Sequence, residues 1–192
     1  MFKKIRFFGE RSLSSLIHKV LVVGAVIFSI AMLVYVMIWP SIGSSILVKD
    51  TGDVAVNKAL RLYFSGEENI KIVSDYYLKS TLYLAPSMFL DIRGICYMAS
   101  IFKNFSLNKI FTLENFKNLR DFGVVIIISS ILYDIGSYYS ELELSKVTVE
   151  GLKVVPEFSL VSGAYLLGIT IIIFAEVFKR AIIMKEEQEL TV

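Results

Sequence analysis

The chain has 192 residues, 55% of them hydrophobic and 20% charged, with a formal net charge of +2 and a mean hydropathy of +0.65. That apolar and aromatic content excludes a disordered chain, and a pI near 8.5 speaks against direct nucleic-acid binding. Long apolar blocks separated by charged connectors explain the mixture and predict an all-α membrane protein, a single integral membrane domain over residues 1–192 with four transmembrane helices.

The first block, Val20–Trp39, runs twenty residues without a charge between Lys19 and Pro40. At 1.5 Å per residue it reaches the ~30 Å of a hydrocarbon core. Its basic leader (Lys3, Lys4, Arg6, Arg11, Lys19) has the sign of a secretory signal peptide. The apolar run exceeds the usual ~7–15 residues, however, and Trp39-Pro40 ends it, so the segment reads as an uncleaved signal anchor spanning 20–39.

The connector 40–78 is long enough to fold. Val54–Phe64 reads as a short amphipathic helix, and Ile70-Lys71-Ile72-Val73 alternates weakly, as a strand would. A second span, 79–103, is bounded by Lys79 and Lys103, whose stems can snorkel to the two interfaces. Pro86 frees the carbonyl of Leu82 and predicts a kink there. Asp91 and Arg93 then fall near mid-membrane.

In the connector 104–121, Thr112 is placed to cap a helix whose first turn carries Glu114 and Asn115. Phe111, Phe116, Leu119 and Phe122 recur at helical spacing, with Lys117 and Arg120 on other sides. An interfacial helix running into the third span, 122–140, accounts for this, with its basic side chains near anionic headgroups. The third span carries one charge, Asp134.

In the connector 141–157, Lys146–Val149 and Lys153–Val155 flank Glu150-Gly151, a strand–turn–strand signal. It predicts a small extracytoplasmic β-ribbon, joined by Ile70–Val73. The fourth span, 158–178, holds Ser159/Gly163 and Ala164/Gly168 four residues apart, which permits close helix approach inside the bundle or across a homo-oligomer seam. The tail 179–192 continues this helix. Val177, Ala181 and Met184 form a stripe, Glu176 can pair with Arg180, and the acidic run Glu186-Glu187-Gln188-Glu189 follows.

Orientation follows from the basic residues. Twelve lie in the N-terminal tail, the 103–121 connector and the segment from Glu176, against seven in 40–79 and 141–157. The bias places both termini in the cytoplasm, N-in and C-in. Trp39, Tyr76, Tyr77, Tyr138 and Tyr139 then form an aromatic belt at the outer interface.

An ionisable residue at membrane depth normally faces the bundle and has a partner. Arg93 lies about 15 Å from the level of Lys103, and Asp134 about 20 Å from that of Asp121, by helical rise. Two readings follow. Arg93 and Asp134 form an ion pair and leave Asp91 to a water-filled cavity, a proton or a ligand. Alternatively, Asp91, Arg93 and Asp134 satisfy one another or the hydroxyls of Tyr83, Tyr97 and Tyr133, and only hold helices in register.

The single cysteine, Cys96, excludes an intramolecular disulfide and reads as a packing residue. His18, the one histidine, reads as an interfacial side chain without co-ligands for a metal. No nucleophile elbow, zinc-protease motif or Walker loop occurs. No catalytic, cofactor-binding or metal residue is therefore assigned. Asn104-Phe105-Ser106 matches a glycosylation sequon but lies on the expected cytoplasmic side.

Asn108-Lys109-Ile110-Phe111-Thr112-Leu113-Glu114-Asn115, followed by Leu119-Arg120 and Gly123, resembles a G-K-x-F-T-x-E-N…L-R…G run. Glu176-Val177-Phe178-Lys179-Arg180 through Lys185-Glu186-Glu187-Gln188-Glu189-Leu190-Thr191-Val192 resembles an E-V-F-R-x-G…L-x-E-E-Q-D-L-T-V ending. Together they resemble the bacterial family of domain of unknown function 2975, small membrane proteins of four predicted spans. The resemblance covers essentially the whole chain and departs at Asn108 and Ala181, where glycine is usual, and in a long first outer connector. It implies a bacterial inner-membrane location. Members are often encoded beside a small helix-turn-helix regulator, which implies a cytoplasmic DNA-binding partner.

The leading expectation is a non-enzymatic inner-membrane sensor or interaction partner. Its interaction surface comprises Thr112, Glu114, Asn115, Arg120, Glu176, Arg180, Glu186 and Glu187. The alternative is a small transporter or channel component built on Asp91, Arg93 and Asp134.

Overall fold

The computed structural model describes residues 7–9, 12–50, 53–57, 60–63, 67–145 and 163–190. Four helices and one hairpin make up these residues: α1 (Leu13–Asp50), β1 (Asp53–Asn57), β2 (Leu60–Tyr63), α2 (Glu67–Ser106), α3 (Leu113–Ser145) and α4 (Gly163–Leu190). The helices have 38, 40, 33 and 28 residues. Each exceeds the ~20 residues that a bilayer requires. Two stretches, Leu13–Met37 and Leu113–Glu143, are both long and apolar enough to cross a membrane.

The helix boundaries correct the sequence reading in three places. Pro40 does not end α1, which continues to Asp50. A proline's cost is local, one lost hydrogen bond and a clash with the carbonyl four residues back, and an established helix can extend beyond it. Ile70–Val73 is helical, inside the first turns of α2, and α2 also runs on through Pro86.

The third correction concerns Val54–Phe64. In place of an amphipathic helix, β1 and β2 form an antiparallel hairpin, with Val54 opposite Leu62, Ala55 opposite Arg61 and a register shift between Ala55 and Asn57. Valine at 54 and 56 and leucine at 60 and 62 fit a period of two, and Asn57 is a turn former between them. The ribbon expected at Lys146–Val155 lies outside the described residues.

The chain divides into two compact units. The first comprises Met1–Ser29, Phe89–Ser130 and Val161–Val192; the second, Ile30–Met88 and Ile131–Leu160.

In the first unit the core is Phe116, Ala175 and Ile182, with Leu119 and Phe178 packed against it. The α4 stripe that is buried is therefore Gly168, Ala175 and Ile182, whereas Val177 and Met184 of the expected stripe are exposed. The reason lies at Gly123 and Gly168. A Cβ on Gly123 would sit 2.9 Å from the Gly168 carbonyl oxygen, and a Cβ on Gly168 would sit 2.9 Å from that of Gly123. Two facing glycines let α3 and α4 approach backbone to backbone, which fixes the buried face of α4. Gly168 thus serves packing within one chain.

The start of α1 joins the same unit. Ser12 caps the helix through its hydroxyl, which accepts from Ser15 N–H at 3.4 Å, and it also contacts the Ser14 hydroxyl at 2.7 Å. His18 Nδ1 meets the Ala99 carbonyl of α2 at 2.8 Å.

In the second unit α2 and α3 meet through polar and small residues. Ser80 and Ser140 hydroxyls lie 2.7 Å apart, Tyr76 reaches Ser140 at 3.3 Å, and Lys79 pairs with Glu143 at 2.8 Å. Gly136 allows the close approach. A Cβ there would lie 2.5 Å from the Tyr83 carbonyl oxygen.

Candidate functional site

The turn between α2 and α3 is the most fully specified part of the first unit. Asn108 has φ of 59° in the left-handed region, which disfavours most side chains and which asparagine tolerates better than most. Lys109 N–H donates to the Asn104 carbonyl at 2.9 Å, and Asn108 N–H to that of Phe105 at 3.1 Å. This pair is a Schellman closure of α2, with Asn108 at the position where glycine is commonest. The preference for glycine in the G-K-x-F-T-x-E-N pattern thus has a backbone cause.

α3 opens as its sequence predicts. The Thr112 hydroxyl accepts from Asn115 N–H at 3.3 Å and its carbonyl from Phe116 N–H at 3.2 Å. Glu114 is exposed in the first turn, where the helix dipole favours a carboxylate.

Asn115 occupies a different place from the surface role expected of it. It is 1% exposed. Its amide nitrogen donates to the carbonyls of Lys109 and Ile110, each at 2.7 Å, and its side-chain oxygen accepts from Asn104 at 2.8 Å. A buried amide with both donors and its acceptor used acts as a clamp on the turn. Of the predicted surface set, Asn115 is buried and holds the turn that leads into Thr112 and Glu114.

Phe116, next in the chain, anchors the turn from below. It is 5% exposed. Lys179 Nζ lies 5.2 Å from its ring centroid and the Arg120 guanidinium 5.7 Å. Phe111 stacks on Phe178 at 5.5 Å. Arg120 donates to Asp121 at 2.8 Å and remains exposed. Glu176, Arg180, Glu186 and Glu187 are exposed along α4, where Lys185 and Glu189 form an ion pair at 3.5 Å.

The charges expected at membrane depth distribute differently. Arg93 Nε donates to the Tyr97 hydroxyl at 3.2 Å, as the second of the two sequence readings anticipates. Ser129 of α3 donates to the Asp91 carboxylate at 2.5 Å, and Asp91 remains exposed. Asp134 belongs to the second unit. Cys96 is exposed rather than packed.

Sequence reasoning missed Asn104 and Ser12. Asn104 and Asn115 sit in different helices on either side of a turn, so no periodicity within one element links them, whereas Ser12-Leu13-Ser14-Ser15 ahead of the first apolar block was a capping signal open to reading. Among the described residues no group of three or more His, Cys, Asp or Glu side chains is placed to hold a metal ion.

The model of a family described as "Protein of unknown function (DUF2975)" matches residues 62–192. The match takes in the second half of β2 with α2, α3 and α4 and leaves α1 and β1 outside, narrower than the whole-chain resemblance. No curated protein and no solved structure matches the chain.

Proposed function

The chain belongs to the family of proteins of unknown function DUF2975, and from that premise we propose that it is a non-enzymatic, four-span inner-membrane protein serving as a docking partner. The α2–α3 turn and the C-terminal half of α4 present its cytoplasmic surface to a soluble protein. A helix-turn-helix regulator held at the membrane is the most specific form of that partner. The Asn115 clamp carries the reading. A turn whose buried amide is fully hydrogen-bonded is preorganised, and preorganised surfaces lose less entropy on binding. Glu114, Arg120, Arg180, Glu186 and Glu187 of the same unit are exposed charges that can select a partner.

Membrane embedding is supported by the apolar side chains that α1 and α4 leave uncovered, among them Ile27 at 62%, Leu166 at 65% and Phe174 at 61% exposure. The basic bias of the termini and the 103–121 segment supports placing the turn in the cytoplasm.

The test is photo-crosslinking in intact bacteria, with the reactive residue placed at Glu114, Arg120 or Arg180. The expected product is a covalent adduct with a soluble DNA-binding protein, absent when the probe is at Ile27. Adducts with lipid alone from all three positions would overturn the reading.

A further inference from the structure

On α2 of the first unit, a cleft of about 540 Å³ opens beside Arg93. Phe89 and Ile92 form its apolar wall; Tyr97 and Ser100 of α2 and Asn118 of α3 continue its polar side. Positions 93, 97 and 100 share one helix face, so the polar side runs from Arg93 toward Lys103. Arg93 bonds Tyr97 through Nε, with its guanidinium carbon 5.7 Å from that ring's centroid. One turn further on, Asn118 donates to Ser100 at 3.0 Å.

Two acids of this unit, Asp91 and Asp121, have other hydrogen-bond partners, although Asp121 also attracts Arg93 through space. Asp91 accepts from Ser129, and Asp121 accepts from Arg120. Among the described residues of the unit, no carboxylate lies within ion-pair distance of Arg93. A guanidinium has five N–H donors in a fork suited to a phosphate or carboxylate, and here a single one is used among the described residues. A cation at membrane depth with no carboxylate in contact among the described residues calls for one from outside.

We propose that this cleft binds the headgroup of an anionic lipid, with the anion on Arg93 and the acyl chain along Phe89 and Ile92. Tyr97, Ser100 and Asn118 offer the hydrogen-bonding route by which the headgroup enters from the interface. The apolar wall favours a lipid over a soluble anion. The proposal rests on the reading of α2 as a membrane span. The shared chemistry is a negative headgroup on an acyl chain, supplied by a bilayer phospholipid or by a free fatty acid.

Cys96 provides a built-in reporter, as the chain's single cysteine, exposed and lining the cleft. The full-length protein in neutral detergent is labelled with a maleimide, alone and with phosphatidylglycerol, phosphatidylcholine of the same chains, or palmitate. Occupancy slows labelling by the factor 1 + [L]/Kd, so titrated phosphatidylglycerol is expected to slow it about fivefold or more while phosphatidylcholine leaves it within about twofold. Arg93→Gln restores the lipid-free rate, and Arg93→Lys, which keeps the charge, retains most of the protection. Protection by palmitate and not by phosphatidylglycerol supports the proposal and assigns the occupant to a free fatty acid. Equal protection by phosphatidylcholine, or full protection in Arg93→Gln, overturns it. In sealed vesicles, a spanning α2 makes Cys96 react more slowly with a charged, impermeant maleimide than with a permeant one. Equal rates there overturn the span itself, a failure distinguishable from loss of headgroup selectivity.

Discussion

The side-chain amide of Asn104 donates to the side-chain oxygen of Asn115 across 2.8 Å, joining the last turn of α2 to the first turn of α3. The same Asn115 amide nitrogen holds the carbonyls of Lys109 and Ile110 between them. Removing it strands the buried amide of Asn104 and two part-buried carbonyls. An unsatisfied buried group costs ~1–3 kcal/mol, so Asn115→Ala is expected to lower stability by about 2–4 kcal/mol, allowing for partial access of water. Thermal unfolding of the purified protein in detergent reads this. Asn115→Asp keeps an acceptor for Asn104 but sets a carboxylate oxygen against both carbonyls in a buried site, and should lose at least as much. A melting curve for Asn115→Ala that overlays the wild type would remove the clamp from the account.

Asn108 tests the backbone argument for the turn. At φ of 59° a glycine has no Cβ to strain, so Asn108→Gly should leave stability unchanged or raise it by up to ~1 kcal/mol. Asn108→Val, β-branched, should cost roughly 1–2 kcal/mol. The opposite ranking in chemical unfolding would mean that the asparagine side chain, not the backbone angle, sets the preference.

The α3–α4 approach makes a sharper contrast. Gly168→Ala would place a Cβ 2.5 Å from Ile127 Cγ1 and 2.9 Å from the Gly123 carbonyl oxygen. The backbones must separate, at about 1–3 kcal/mol. Gly123→Ala meets the same constraint from the other side, so the double variant should lose less than the sum of the singles. Gly24→Ala, with nothing within 4 Å of the added carbon, should be neutral or stabilising by up to ~1 kcal/mol through helix propensity. Equal losses at positions 24 and 168 would contradict the close approach.

Lys79 and Glu143 are expected to contribute little. Their side chains are 48% and 15% exposed, and a pair with one partner half in solvent couples by about 0.2–1 kcal/mol. A double-mutant cycle with Lys79→Met and Glu143→Gln measures it, and the coupling should shrink at high salt. A coupling above 2 kcal/mol would show that the pair is screened far less than its exposure implies.

The boundaries legible in the chain were those with a local physical cause. Thr112 capped α3 as its hydroxyl and position predicted, because capping depends on the three residues that follow and on nothing distant. Val54–Phe64 was misread because an eleven-residue segment of mixed character satisfies a helical and a strand period about equally, and strand pairing supplied the deciding hydrogen bonds. The exposed set at the candidate site was legible as charge, whereas the burial of Asn115 was not. A polar side chain reads as surface until the carbonyls that need its donors are brought around it.

Composition and apolar periodicity alone determined the helical class and the two longest apolar stretches, since these depend on hydropathy summed along the chain, and two short motifs pointed to the family. Which face of α4 is buried was decided only in three dimensions. That helix is apolar nearly all round, so hydrophobicity does not choose among its faces, and the Gly123–Gly168 approach does. Arg93 followed the same logic. Its place within α2 was readable from residue counting, but its link to Tyr97, rather than to a carboxylate of its own unit, depends on which groups packing leaves within reach.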